Sequence, residues 1–306
     1  MPNRQWTIAS PQVRGLALVV VWSSGFVGAE LGARHAGPDT LLAWRFLATA
    51  VLLLPWLRPA LAHLDRRGRI HQGVLALLSQ CLYLGGTYWA AAAGVPAGTS
   101  ALIASLQPAL VIFLSSRRLR PRHLAGLALG TGGVMLTAVG DLRAGVTIAA
   151  LVLPLAAMLS LTAGTMLQER RPSPPLMQTL AVQALISAAF FTVYTAAAGN
   201  LAPPMTAGFW AAVAWGTAAG IGSYGLYYLI TSRDGASRAS TLLYLTPATT
   251  ALWAAPMFGQ PIRGLTVLGL LISASAVFLL RDAAVRPGNP GASSPAGPGA
   301  AAKIPL

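Results

Sequence analysis

The middle of the chain reads the same way twice. Residues 97–136 carry Ala97, Leu106, Gln107, Pro108 and Ala109, then Gly126, Leu127, Val134 and Leu136. Residues 236–279 repeat the order with Ala236, Leu245, Thr246, Pro247 and Ala248, then Gly269, Leu270, Val277 and Leu279. The spacing is 139 residues as far as the prolines and 143 beyond them, so the second copy gains four residues in a loop. Each copy closes a block of five apolar runs. An odd number of crossings sends the second block into a bilayer from the opposite side, and inverted repeats with helices broken at mid-depth mark secondary transporters.

Composition requires the bilayer. Hydrophobic residues make up 55% of the chain and charged residues 9%, with a mean hydropathy of +0.63; a soluble domain carries about 25% charged residues. The charges gather in short clusters between apolar runs of roughly 20 residues, the length that crosses hydrocarbon. Ten spans are expected, at 13–33, 39–57, 71–92, 96–116, 122–140, 144–166, 176–198, 207–231, 237–258 and 264–281. The first is too long for a signal peptide, lacks a clean small-residue cleavage site, and is read as retained.

The fold class is therefore an all-α integral membrane protein of ten transmembrane helices in two inverted five-helix repeats. Its divisions are an N-terminus (1–12), a first repeat (13–140), a second repeat (141–282) and a Pro/Gly/Ala/Ser tail (283–306) too poor in apolar side chains to fold. The net charge of +14 does not indicate nucleic acid, because the basic residues lie in brief turns where they orient the chain. Of 21 Lys and Arg, only Arg34, Arg143 and Arg263 fall on one side and Arg45 lies inside a span, leaving seventeen on the other. Both termini are thus expected in the cytoplasm. Lys303 is the only lysine, and an Arg-, Ala- and Gly-rich composition suggests a GC-rich bacterial genome, hence a bacterial inner membrane.

Catalytic chemistry has little support. His35, His63, His71 and His123 sit in loops or at span ends, Cys81 is the single cysteine, and HExxH, CxxC, GxSxG and phosphate-cradling patterns are absent. No cofactor, metal site or ATP-driven step is expected. Energy would come from a gradient, with protons as the candidate coupling ion.

Several segments resemble the EamA branch of the drug/metabolite transporter superfamily. They are Trp22–Gly28, the Arg45-Phe46 pair, Pro96–Pro108 and Ala236–Pro247, and the resemblance runs from about 13 to 281. It implies export of amino acids, other metabolites or drugs, with spans one, three, four, six, eight and nine around a central cavity and a homodimer left open. The chain departs from that family at three places. Where members often carry Gly-Glu after spans four and nine, it has Ser115-Ser116-Arg117 and Gly259-Gln260. Where they often carry a basic residue, it has Glu30.

Site residues follow from depth and polarity. Pro108 and Pro247 each remove a backbone donor and free a carbonyl four residues upstream, that of Ala104 or Leu243, and irregular backbone at this depth is tolerated beside water or substrate. Gln107 and Thr246 precede the prolines. Trp22 and Ser23 in span one, Gln80 and Tyr83 in span three, Tyr224 in span eight and Tyr244 in span nine lie at compatible depth, completing the expected binding set. Two charges fall within spans, Glu30 and Arg45. The short loop between spans one and two could bring them together; the alternatives are a structural ion pair, Arg45 snorkelling outward, or an outer gate or protonatable group coupled to transport. So few buried charges favour a neutral or zwitterionic cargo. Gly126, Gly130 and Gly133, answered by Gly269, Ser273 and Ala276, are read as close helix packing. Alternatives from other classes are a passive facilitator or channel for small polar solutes, and a membrane-embedded enzyme or sensor.

Overall fold

The computed structural model describes residues 10–115, 121–168, 170, 174–234 and 242–280. These form ten helical spans with no strand among the described residues: α1 (Pro11–Ala33), α2 (Pro38–His63), α3 (Arg66–Ala92), α4 in two pieces (Ala97–Ala104 and Gln107–Ser115), α5 (Pro121–Arg143), α6 (Ile148–Gln168), α7 (Leu176–Ala197), α8 (Ala207–Asp234), α9 (Thr246–Phe258) and α10 (Gly264–Leu280). Six are long and apolar enough to cross a membrane unaided, while α4 and α10 contribute shorter apolar stretches. The start of the ninth expected span, the basic residues Arg117 and Arg238, and the C-terminal tail lie outside the described residues.

Local chemistry sets the ends. Ser10 caps α1, its hydroxyl accepting from Val13 N at 3.4 Å, and Pro11 supplies a preset φ at the first helical position. Asp65 caps α3, accepting from Gly68 N at 2.6 Å, so that helix begins several residues before its expected apolar start. Gly259, in the left-handed region at φ 68°, ends α9.

Neighbouring helices pair in a pattern that survives exchange of the two halves. α5 lies along α10, α2 along α7, and α4 crosses α9, each pairing a helix with its own counterpart. The α1–α8 contact is matched by α6–α3, and α1–α9 by α6–α4. The α5–α10 pair runs antiparallel: Gly140 meets Leu265, Thr137 meets Gly269 and Gly133 meets Ser273. A side chain on Gly133 or Gly269 would strike the opposing backbone carbonyl at 2.5 Å, so the small residues let these two helices touch. The same antiparallel order joins α2 to α7, where Thr40 Oγ1 donates to Asn200 O at 2.9 Å, Phe46 stacks on Phe191 at 5.6 Å and Leu53 packs with Leu180.

Candidate functional site

Both proline breaks have the same hydrogen bonds. In α4, Leu106 N turns back to Ile103 O at 3.1 Å and the helix resumes with Leu110 N to Leu106 O at 3.0 Å. In the second copy Leu245 N reaches Leu242 O and Thr249 N reaches Leu245 O, both at 3.0 Å. These residues correspond at the 139-residue spacing of the repeat. Pro108 and Pro247 supply no N–H to the carbonyls of Ala104 and Leu243.

Between α1, α2, α3 and α8 lies an aromatic cavity of about 60 Å³, lined by Trp22, Gly25, Arg45, Tyr83, Thr87 and Tyr224 among others. A recess of about 30 Å³ adjoins it through Arg45, Gly220 and Tyr224 and reaches Gln80. The Trp22 ring lies 5.9 Å from those of both Tyr224 and Tyr227. Gln80 stands in a feature the sequence did not announce. Residues Leu77–Leu82 of α3 wind as a π-helical turn, a local overwidening often found at functional positions. Ser160 of α6 donates to Leu78 O at 2.8 Å within that turn. Gln80 shares the recess wall with Tyr224 and donates to Gln183 at 3.4 Å, and Gln183 in turn donates to Gln72 at 3.0 Å.

The expected contact between Glu30 and Arg45 is corrected by the structure: the two face different neighbours. Arg45 points inward, buried to 7% exposure. Its Nη1 donates to the Tyr88 hydroxyl at 2.8 Å, and its guanidinium lies 5.4 Å from the Tyr88 ring centre and 5.5 Å from that of Phe46. Two glycines of α8 make this route possible. A Cβ on Gly216 would stand 3.0 Å from Arg45 Cδ, and one on Gly220 would stand 3.0 Å from Arg45 Nη2.

Glu30 instead ties together the ends of α1, α4 and α9. Its Oε2 accepts from Ala97 N at 3.1 Å, the first N–H of α4, where a carboxylate also complements the helix dipole. Its Oε1 accepts a short hydrogen bond from Gln260, and Arg34 stands 3.9 Å away. Arg34 donates to Phe258 O at 3.3 Å and lies over the Phe258 ring at 4.5 Å. Two of the sequence's departures from the EamA pattern, an acid at 30 and an amide at 260, therefore meet in one contact. These bonds join α1, α4 and α9 at the end of the bundle that carries the α1–α2 turn.

The remaining expected site residues do not line the cavity or its recess. Ser23 is fully buried and donates to Thr246 O at 3.3 Å, joining α1 to the start of α9. The Thr246 hydroxyl is buried with no partner among the described residues, and Pro247 beside it is buried too. Gln107 donates to Thr165 of α6 at 3.0 Å, while Pro108 and Tyr244 are half-buried.

Sequence reasoning passed over Asp141. It lies in the last turn of α5, one residue beyond the expected span, accepts from Thr99 at 2.6 Å and faces Arg263 at 3.8 Å. With Gln260 these residues line a recess of about 210 Å³ at the same end of the bundle as Glu30. The signal available was an acid in an acid-poor chain, two residues from Arg143, one of the three basic residues on its side.

The model of the EamA-like transporter family matches residues 13–139 and 147–281. A Salmonella typhimurium protein, named "Probable amino-acid metabolite efflux pump", is 25% identical over 281 residues, 86% of this chain and 92% of that one. A crystal structure with 19% identity superposes with a TM-score of 0.58, covering 88% of this chain and 95% of that one, a likeness of fold alone. A matched repeat spanning nearly the whole chain and ten helices arranged as two inverted halves agree: the chain belongs to the EamA-like transporter family.

Proposed function

We propose that the protein is a secondary active transporter that exports a small amino-acid-like metabolite, neutral or zwitterionic, from the bacterial cytoplasm by alternating access. The observation that carries this reading is the pair of equivalent helix breaks beside an aromatic, partly polar cavity, in a bundle whose halves are hydrogen-bonded to each other at one end. The relative's name supports a metabolite of the amino-acid class. The two family matches support division near residue 140 into two repeats that rock against each other. Trp22, Gln80, Tyr83 and Tyr224 form the wall of the binding site, with Ser23, Gln107, Thr246 and the two prolines at the hinges beside it. Glu30 gates the end bearing the α1–α2 turn, which the distribution of Arg assigns to the periplasm.

Flux of labelled amino acids from proteoliposomes, with and without an imposed pH gradient, tests the proposal. Accumulation against a concentration difference that follows the gradient supports active transport. Rapid equilibration that never exceeds the concentration difference would make the protein a facilitator instead.

A further inference from the structure

We infer that Arg45 is the carboxylate-binding residue of the central cavity, so that the cargo is a monocarboxylate, with a compact apolar or aromatic body held against Trp22 and Tyr224. The inference rests on the transport reading above and names the chemistry of its site. A buried guanidinium normally sits against a carboxylate, because removal from water leaves its charge uncompensated. Arg45 is 7% exposed, and among the described residues no carboxylate pairs with it. Its hydrogen bond goes to a neutral hydroxyl, that of Tyr88. A guanidinium carries five N–H donors in a planar fork suited to two carboxylate oxygens.

The rest of the geometry is directional. Arg45 borders both the aromatic cavity and its recess, and Nη2 lies on the Gly220 side, where a methyl group would press on it. Gly25, across the same cavity, has nothing within 4 Å of where its Cβ would be, which leaves room for a cargo body. The faces of Trp22 and Tyr224 suit an ammonium group as well as an apolar one. One guanidinium matches one carboxylate, which accords with a zwitterion and disfavours a dianion.

Wild-type protein and Arg45→Gln are reconstituted into liposomes loaded with the common L-amino acids or with the corresponding amino-acid amides, and efflux is read by mass spectrometry. The amides keep each body and amine but lose the negative charge. The expected result is that wild type releases one or more acids in preference to their amides. Arg45→Gln then lowers acid efflux by about thirtyfold or more, and Arg45→Lys recovers part of it. A folded Arg45→Gln that keeps the wild-type preference for acids overturns the inference. Wild-type release of amides as fast as acids also overturns it while leaving transport intact. Release of neither set sinks the transport reading for this class of cargo, and this inference with it. If Arg45→Gln does not fold, Gly220→Ala replaces it: the charge stays but the added methyl displaces Nη2. The acid-to-amide ratio should then fall, and an unchanged ratio overturns the assignment.

Discussion

Glu30 and Gln260 are 230 residues apart in sequence and share a hydrogen bond. The contact makes a quantitative expectation possible. Gln260→Glu alone would oppose two carboxylates, and Glu30→Lys alone would set a cation beside Arg34 and the N-terminus of α4. Each should cost about 1–3 kcal/mol in thermal unfolding of the detergent-purified protein. The double variant Glu30→Lys/Gln260→Glu restores opposite charges at the 30–260 contact and should be less unstable than the two single losses added together. A double variant as unstable as the sum of its parts would mean the two side chains do not act as a pair. The sequence showed an unusual acid and an unusual amide, each separately. That they answer each other depends on α1, α4 and α9 converging, which no local pattern encodes. Arg45 illustrates the same limit. Loop proximity suggested Glu30 as its partner, but its direction is set by Gly216 and Gly220 on a distant helix.

At the scale of the helix, proline chemistry was legible and helix winding was not. A missing N–H is a property of one residue, so two prolines matched at a fixed spacing announce two breaks wherever the chain folds. The π-helical turn at Leu77–Leu82 leaves no such mark, because it depends on how α3 meets Ser160 and Tyr224. Pro108→Ala or Pro247→Ala restores one backbone donor and should straighten its helix. Thermal stability is expected to hold or rise while efflux falls. Efflux unchanged in both would show that the breaks are architectural only. The α5–α10 pair supplies the opposite control. Gly133→Leu drives a side chain into Ser273 and the carbonyl of Gly269, and overpacking of this kind costs about 1–3 kcal/mol. Loss of stability with unchanged cargo preference is expected from thermal melts and competition efflux.

For the whole molecule, the end that carries Glu30 can be locked. A Cβ on Gly98 would lie 3.0 Å from Ala251 Cβ, where α4 crosses α9, so a cysteine pair needs a small relaxation to bridge them. In a Cys81→Ala background, Gly98→Cys/Ala251→Cys should stop efflux on oxidation and regain it on reduction, with crosslinking read by mass spectrometry. Full efflux with the bridge formed would remove this end from the path.

The divided fourth span has a mechanical consequence. Its first piece is fastened to Glu30, Asp141 and the facing helix of the other repeat, while its second piece is fastened to Thr165. The two lengths thus have separate anchors and a pliable joint between them. On the alternating-access reading proposed above, such a strut would release one mouth while keeping its grip at the other, so that switching sides would need only a modest flexure at the joint and no sliding of an entire rod through the lipid.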